Sequence, residues 1–532
     1  MAIVGAGFAG MYMLLRCQRL GLSAQVIEAG SGVGGTWYWN RYPGARCDVE
    51  SLSYSYSFSD DLQQEWTWSH RYATQPEILR YANHVADRFD LRKDIRFNTK
   101  VTAARFDESA GCWTVTLDTG QEFAARFLVM ATGCLSVPKV PDLPGLENFH
   151  GALFHTAKWP ADGVEFSNRS VGLIGTGSSG IQSIPIIARQ AKHLTVFQRS
   201  ANFSIPAWNG PIPEDEMRDV KARYNELRRK SRASYAGDYA DEAYVTILNL
   251  PPEEREAQFE KRWREGGFNF QYAFSDIMVS EEANQLAADF VRHKIRSIVK
   301  DHRTAELLCP NDHPIGSKRL CVDTGYYETY NRPNVTLADI RNDPIVTFTA
   351  HGLRTREAEY RFDTLVLATG FDAMTGALGK IDIRGRNDLP LQQAWRDGPV
   401  SYLGLAVAGF PNLFIITGPG SPSVFANMVL AIEQHVEWLS DLLDYASRSG
   451  IEMVEAELPA QEEWVRHVAE SADKTLFPRA NSWYVGANVP GKPRVFMPFA
   501  DGFCVYEEIC KDIAGRNYAG FTMTRSTGAM RT

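Results

Sequence analysis

Two glycine-rich loops, each following a short apolar run, constrain the fold of this chain more than any other feature. Residues 5–10 read GAGFAG after Ile3-Val4, and residues 175–180 read GTGSSG after the run VGLI. In GxGxxG between a strand and a helix, the first glycine allows a tight turn, the second lets backbone approach a pyrophosphate, and the third lets helix and strand pack closely. The helix N-terminus adds free N–H groups and a partial positive charge. The expected nucleotide contacts are Gly5, Gly7 and Gly10 in the first loop and Gly175, Gly177, Ser178, Ser179 and Gly180 in the second.

A second repeated pattern favours two similar domains. Residues 127–133 read FLVMATG and residues 364–370 read TLVLATG, each an apolar strand that ends in a turn of small residues. In a doubly wound sheet, such a late strand returns to the edge that binds the ligand. We therefore expect an α/β fold with two Rossmann-like dinucleotide-binding domains, and Thr369 and Gly370 at the second nucleotide.

The residue that ends the second strand of each unit indicates which nucleotide binds. Glu28 ends the run AQVIE after the first loop, and a carboxylate there can accept hydrogen bonds from ribose hydroxyls. The equivalent position after the second loop is Gln198, followed by Arg199, whose guanidinium can bind a 2′-phosphate with two donors. The first site therefore suits FAD or NAD, and the second suits NADP.

One chain with both sites suggests a flavoprotein reduced by NADPH. Gly35, Thr36 and Trp37 follow Glu28 closely and are expected to approach the FAD pyrophosphate or the flavin. The eight cysteines form no CxxC or CxxxxC pair, which argues against structural zinc, another metal site and dithiol redox chemistry. Their dispersal suits reduced thiols in a cytoplasm. Oxygen activation and simple electron transfer both remain open at this point.

Composition adds mainly exclusions. The 532 residues carry 56 Lys plus Arg against 64 Asp plus Glu, and a net charge of −8 gives no reason to expect nucleic acid or an anionic membrane as partner. No obligate protein partner is evident. The chain begins MAIV directly before the glycine loop, so we expect no secretory signal. Residues 398–432 lack charge, but prolines interrupt them, which favours buried strands and a ligand-facing loop over a membrane span.

The middle of the chain differs from both nucleotide-binding units. From about residue 211 to residue 302 it is rich in Arg, Lys and Glu without strand alternation, which predicts solvated helices. We interpret its charge runs as solvent-facing surfaces. The expected division is an FAD domain of residues 1–138 and 372–532, an NADP domain of 139–206 and 318–371, and a helical insertion of 207–317.

A longer motif lies just before the second glycine loop. Residues 149–160 fit FxGxxxHxxxWP without departure, through Phe149, Gly151, His155, Trp159 and Pro160. This is the fingerprint of the Baeyer–Villiger monooxygenases, which the chain resembles over nearly its whole length. Other matching segments, at residues 37–48, 318–327, 418–423 and 481–484, look most like the phenylacetone and steroid monooxygenase subgroup.

The resemblance implies a reaction. NADPH reduces FAD, the reduced flavin takes O2 to form a C4a-peroxide, and the peroxide attacks a ketone, which rearranges to an ester or lactone. The alternatives are an N- or S-oxidising flavin monooxygenase and, from another class, a non-catalytic redox sensor that binds both nucleotides.

The resemblance also implies roles for individual residues. Arg319 matches the catalytic arginine, and Asp48 matches the acid that holds it and contacts the nicotinamide. Lys318 and Arg199, helped by Ser200, match residues that bind the 2′-phosphate, and Trp483 matches a tryptophan on a mobile loop. His155 is expected to act structurally or conformationally, since the motif lies between nucleotide domains. Ser423, Val424 and Phe425 match a loop that lines the substrate pocket.

Overall fold

The computed structural model describes residues 1–240 and 244–525 and contains two parallel five-stranded sheets within those ranges. The first sheet places Ala2–Val4 at its centre, paired in parallel with a neighbouring strand on each side. Its strands, in spatial order, are Leu413–Ile415, Leu128–Met130, Ala2–Val4, Gln25–Ile27 and Ile95–Arg96. All five fall within residues 1–138 and 372–532.

The second sheet repeats this arrangement around the strand that precedes the second glycine loop. That strand, Ser170–Ile174, pairs in parallel with His193–Gln198 on one side and Thr364–Leu367 on the other. The spatial order is Val335–Asp339, His193–Gln198, Ser170–Ile174, Thr364–Leu367 and Ala152–His155. Every strand is short and largely apolar, as expected when helices cover both faces of a parallel sheet. The prediction of an α/β fold with two Rossmann-like domains is confirmed.

Smaller sheets, fourteen α-helices and several short 3-10 helices complete the described part of the chain. The remaining strands are Asp382–Arg384, Val101–Asp107, Cys112–Leu117 and Glu122–Ala125 in one sheet, Ile345–Thr349, Gly352–Thr355 and Glu359–Arg361 in another, and the pairs Ser204–Pro206 with Cys321–Asp323 and Ile451–Ala456 with Phe521–Arg525. The helices are Phe8–Arg19, Thr36–Trp39, Asp60–Glu65, Gln75–Arg88, Ser178–Gln190, Glu214–Arg232, Pro252–Glu265, Glu281–Ile298, His302–Leu308, Tyr326–Thr329, Leu391–Ala394, Met428–Arg448, Leu458–Asp473 and Phe503–Gly515.

The helices of residues 207–317 are less solvated than their composition suggests. Glu214–Arg232 buries Met217, Val220, Tyr224 and Leu227 in the core of the first domain. Other insertion residues, Phe259 and Phe290 among them, belong to the core that contains the second sheet. Charge runs such as residues 214–216 are exposed, but the guanidinium of Arg228 donates to three groups in residues 53–63. The insertion therefore packs against both nucleotide-binding units.

The described residues also bear on the bulk expectations. All eight cysteines are free thiols. Among residues 1–240 and 244–525 there is no group of three or more His, Cys, Asp or Glu that could hold a metal ion. Within the same ranges, no helix has both the length and the apolar character needed to cross a bilayer. Residues 398–432 form mostly buried loops around the strand Leu413–Ile415, followed by the start of the helix Met428–Arg448.

Candidate active site

One continuous cavity of about 1610 Å³ extends from the first glycine loop to the second. Sites for a single drug-sized molecule reach about 1,000 Å³, so this cavity has room for more than one ligand. Most of the residues singled out in the sequence line it. They are Gly5, Gly7, Glu28, Gly35, Thr36, Trp37, Asp48, Gly175, Gly177, Ser178, Ser179, Arg199, Ser200, Lys318, Arg319, Thr369, Gly370, Val424 and Trp483.

The first glycine loop leaves no room for side chains at two of its glycines. Gly5 has a φ of +103°, and a Cβ there would lie 2.6 Å from the carbonyl oxygen of Ala131. A Cβ on Gly10 would lie 1.8 Å from the carbonyl oxygen of Gly5, so Gly10 lets the helix pack on the strand and does not line the cavity. The Glu28 carboxylate accepts the backbone N–H groups of Ala6 and Gly30, both at 2.7 Å. This backbone cradle, with a buried carboxylate at the strand end, fits the ribose and pyrophosphate of FAD.

The second glycine loop has the same construction. Gly175 has a φ of +114°, and a Cβ there would lie 2.3 Å from the carbonyl oxygen of Ala368. A Cβ on Gly180 would lie 2.2 Å from the carbonyl oxygen of Gly175, so this third glycine also serves helix packing. No atom lies within 4 Å of the Cβ position of Gly177, which faces the cavity. Free space there is what a closely approaching pyrophosphate requires.

Arg319 is held at the junction between the two nucleotide-binding regions. Its Nε and Nη2 donate to the two carboxylate oxygens of Asp48 at 2.6 and 2.8 Å, and its Nη1 donates to the carbonyl oxygen of Val424 at 2.8 Å. Burial alone would lower the pKa of Arg319, but Asp48 raises it well above its usual value. The side chain is 24% exposed, and it lines the cavity. The arrangement presents a permanent, oriented positive charge.

Phe268 also contacts the Arg319 guanidinium, and the sequence did not directly indicate this residue. The Arg319 guanidinium carbon lies 4.9 Å from the centre of the Phe268 ring, within the range of a cation–π contact. Gly266 and Gly267, with φ of +74° and +60°, turn the chain just before this ring, and a Cβ on Gly267 would collide with the Tyr72 hydroxyl. The paired glycines were the available signal in the sequence. The helical insertion thus contributes directly to the site.

Arg199 and Lys318 come together at the other end of the cavity. Arg199 follows the strand His193–Gln198, is exposed, and lines the cavity together with Ser200 and Lys318. The Ser200 carbonyl accepts a hydrogen bond from the Thr176 hydroxyl at 2.9 Å, which ties the arginine-bearing segment to the glycine loop. Burial lowers the pKa of Lys318. The two cations fit a phosphate group bound beyond the second loop.

The five defining residues of FxGxxxHxxxWP lie beside the cavity without lining it, whereas Ala157 and Lys158 between them do line it. Nδ1 of His155 accepts the N–H of Ala157 at 3.0 Å, and its Nε2 lies 3.2 Å from both the Lys139 carbonyl oxygen and the Thr369 hydroxyl. Burial lowers the pKa of His155, which favours the neutral ring. The aromatic residues of the motif pack in the second domain, Phe149 against Phe362 and Trp159 against Phe154. A Cβ on Gly151 would collide with the backbone carbonyl of Asp363. The carbonyl oxygen of Pro160 accepts a hydrogen bond from the N–H of Gly163. Through His155, the motif therefore connects the segment at Lys139 with Thr369, which follows the strand Thr364–Leu367 and lines the cavity.

The three residues expected in the substrate pocket have different surroundings. Of Ser423, Val424 and Phe425, only Val424 lines the cavity. Ser423 is fully buried, and its hydroxyl donates to the Thr417 carbonyl at 3.3 Å. Phe425 packs in an aromatic cluster, with ring centroids 4.4 Å from Phe477 and 4.7 Å from Tyr484. Phe425 therefore stands behind the residues that face a ligand.

Comparison with known proteins identifies the family. Residues 2–236 match the family model described as pyridine nucleotide-disulphide oxidoreductase. A Baeyer–Villiger monooxygenase of Pseudooceanicola batsensis is 42% identical over 98% of this chain and 96% of its own length. The chain belongs to the Baeyer–Villiger monooxygenases. Its fold agrees with that of an oxidized steroid monooxygenase bound to NADP, with a TM-score of 0.95, 53% identity and 99% of each chain covered.

Not every relative of this Baeyer–Villiger monooxygenase chain carries the family name. A phenazine N-monooxygenase of Lysobacter antibioticus is also 42% identical, over 99% of this chain and 97% of its own length. Sequence identity alone therefore does not separate ketone oxidation from N-oxidation.

Proposed function

We propose that this chain converts ketones to esters or lactones with NADPH and O2, using bound FAD. The observation that carries the proposal is the Arg319–Asp48 pair, which sits in one cavity between a loop suited to FAD and a loop suited to NADP. Arg319 presents its charge where both nucleotide sites meet. A redox sensor would have no need of such a fixed charge inside its nucleotide cavity.

The residues of the first loop would hold FAD. When bound and reduced, FAD supplies the electrons and the oxygen-activating chemistry of the reaction. Gly5, Gly7 and Gly35 offer backbone to the pyrophosphate, and Glu28 offers a carboxylate to the ribose. Thr36 and Trp37 begin the helix Thr36–Trp39, which follows Gly35, and both residues line the same cavity.

Arg319 would stabilise negative charge that develops on oxygen during the reaction. A fixed cation in a site that excludes water stabilises such charge by several kcal/mol, because no solvent must reorient at the moment of reaction. Asp48 keeps the guanidinium oriented and charged, so Arg319 acts as a cation and not as a proton donor. Val424 and Trp483 line the cavity with apolar surface, which limits water near this charge.

The second loop would hold NADPH. Gly175, Gly177, Ser178 and Ser179 would face the pyrophosphate, and Arg199, Ser200 and Lys318 would bind the 2′-phosphate. We assign His155 and its motif to coupling between the two nucleotide domains, because the ring contacts residue 139 and Thr369, which lie next to the two proposed crossings between the domains at 138/139 and 371/372, without lining the cavity. We keep the domain boundaries and, from the eight free thiols, a cytoplasmic location as part of the proposal.

Product identity tests the proposal most directly. FAD-loaded enzyme would be incubated with NADPH and a panel of aryl, cyclic and steroidal ketones, and product and NADPH consumption would be measured together. We expect esters or lactones in near-equal amount to the NADPH consumed. NADPH loss that yields only hydrogen peroxide with every ketone would contradict the proposal.

N-oxidation is the second candidate, favoured by the equally similar phenazine N-monooxygenase. The same assay with phenazines and sulfides separates the candidates, since N-oxides or sulfoxides without any ester would favour heteroatom oxidation. If no ketone, amine or sulfide accelerated NADPH oxidation, the sensor hypothesis would gain.

Phe268→Leu should reduce coupling between NADPH consumption and ester formation. The substitution keeps an apolar side chain but removes the ring face that holds the Arg319 guanidinium, a contact worth about 0.5–2 kcal/mol. We expect kcat for ester formation to fall about 3- to 10-fold, with more hydrogen peroxide released per NADPH. The control is Phe270→Leu, a fully buried ring two residues on that packs against Phe259. Equal losses of ester formation in both variants would indicate that Phe268 contributes only through packing.

A further inference from the structure

We propose that Arg341 is a third cation for the 2′-phosphate of NADPH and thereby sets the preference for NADPH over NADH. The inference rests on the proposed binding of that phosphate by Arg199 and Lys318. Arg341 lies 142 positions after Arg199 and 23 after Lys318, and neither the glycine loop nor the family motif points to it. All three side chains line the same cavity.

Sheet register brings Arg341 to the correct edge. The strand Val335–Asp339 lies in parallel beside His193–Gln198, with Gln198 directly paired to Asp339. Ile340 continues the ladder by donating its N–H to the Gln198 carbonyl at 3.0 Å. Arg199 and Arg341 therefore leave adjacent parallel strands at the same carboxyl edge, which is where doubly wound sheets bind ligands.

A single carboxylate, that of Asp312, holds two of the cations. Its Oδ2 lies 3.3 Å from Nη1 of Arg341, and its Oδ1 lies 3.6 Å from Nζ of Lys318. Nδ1 of the buried His313 contacts Oδ1 at 2.5 Å. The hydrogen bond from His313, with Lys318 and Arg341, lowers the pKa of Asp312, so the carboxylate stays ionised and keeps both cations in place before the nucleotide binds.

The local charge balance fits a phosphate monoester. Arg199, Lys318 and Arg341 together carry three positive charges against the one negative charge of Asp312, and Lys139, which lines the same cavity and interacts with Arg199, adds a further cation. A phosphate monoester carries about −1.5 to −2 at neutral pH. In the described residues Arg199 has no ion pair, so its guanidinium is available to the ligand.

Arg341 is 53% exposed, so its contribution should be moderate. Solvent screens a half-exposed ion pair, and such contacts contribute far less than buried ones. The expected signature is therefore selective and not large. Loss of Arg341 should weaken ligands that carry a 2′-phosphate and leave those without it unchanged.

The test measures binding of adenosine nucleotides to FAD-loaded enzyme by calorimetry. Arg341→Ala should weaken the binding of 2′,5′-ADP about 5- to 10-fold and leave the binding of 5′-ADP unchanged. The affinity of Arg341→Lys for 2′,5′-ADP should lie between that of the wild type and that of Arg341→Ala. The KM for NADPH should rise by a similar factor while that for NADH stays constant. The matched control is Arg354→Ala, an exposed arginine on the nearby strand Gly352–Thr355 that does not line the cavity.

Two further variants separate the possible failures. If Arg341 only neutralises Asp312, adding Asp312→Asn to Arg341→Ala should restore 2′,5′-ADP affinity, and that restoration would overturn the inference. If Arg341 contacts the phosphate, the double variant stays weak. Arg199→Ala should weaken 2′,5′-ADP selectively. If Arg341→Ala has no effect while Arg199→Ala does, only the inference on Arg341 fails. If neither has an effect, the proposed location of the 2′-phosphate fails as well.

Discussion

Arg319→Ala should nearly abolish ester formation while NADPH still reduces the flavin. The substitution removes the one guanidinium that Asp48, Val424 and Phe268 together orient into the cavity. Loss of a preorganised charge of this kind lowers the rate about 100- to 1,000-fold. Stopped-flow absorbance would follow flavin reduction, and chromatography would follow the ester. Normal ester yield from the variant would refute the assignment of Arg319.

Removing Arg319 also leaves Asp48 without its partner, and stability must be controlled for. Loss of one member of a buried pair is destabilising by about 3–5 kcal/mol, although both side chains here are partly exposed, which reduces that figure. Arg71→Ala is the matched control, because Arg71 pairs with Glu50 at 2.6 Å with similar exposure and neither residue lines the cavity. Arg319→Lys keeps the charge without the two-point contact and should retain partial activity. Equal loss of activity in the Arg71 variant would point to instability instead of chemistry.

Gly177→Ala should weaken NADPH binding strongly without destabilising the protein. The Cβ position of Gly177 has no atom within 4 Å and the backbone is not left-handed, so alanine fits the unliganded chain. The same methyl group would occupy space that the pyrophosphate needs, and such overpacking raises the free energy by about 1–3 kcal/mol. This corresponds to a NADPH affinity about 10- to 100-fold weaker. Calorimetric titration and thermal unfolding would measure both quantities.

Alanine substitutions at two other glycines serve as comparisons for Gly177→Ala. Gly515, at the end of the helix Phe503–Gly515, also has open space at its Cβ position and lies outside the cavity, so Gly515→Ala should leave affinity unchanged and raise stability by about 0.4–1 kcal/mol at most. Gly175→Ala, unlike Gly177→Ala, should destabilise the protein itself, because its Cβ would lie 2.3 Å from a backbone carbonyl and its φ is positive. We expect Gly175→Ala to unfold at lower temperature. Unchanged NADPH binding by Gly177→Ala would exclude a pyrophosphate contact there.

Local sequence was sufficient for the features that depend on a few neighbouring residues. The steric demands of Gly5, Gly10, Gly175 and Gly180 arise within one strand, turn and helix, so the motif spacing predicts them directly. Short parallel strands bury apolar runs, and the turns after residues 130 and 367 follow from small residues. For the same reason the two-domain α/β fold and most cavity-lining residues could be named in advance.

Sequence did not locate residues whose role depends on distant partners. Phe425 and Ser423 occupy positions typical of a pocket lining. In the folded chain, however, the Phe425 ring packs within an aromatic cluster and the Ser423 hydroxyl points toward the Thr417 carbonyl. The charged helices of the insertion were expected to be solvated, but their apolar faces join both domain cores. Neither outcome is visible in the local pattern, because burial depends on which surface lies opposite.

Two nucleotide loops, an acid suited to one and an arginine suited to the other can be read directly from the chain. That Asp48 and Arg319, 271 positions apart, form one oriented pair between those loops is a result of folding. Folding also places Phe268 against this pair and Asp312 between Lys318 and Arg341. Glycine geometry acts over a few residues and leaves a pattern in the chain. Ion pairs and ring contacts act through space, and they exist only once the sheets have brought remote segments to a common edge.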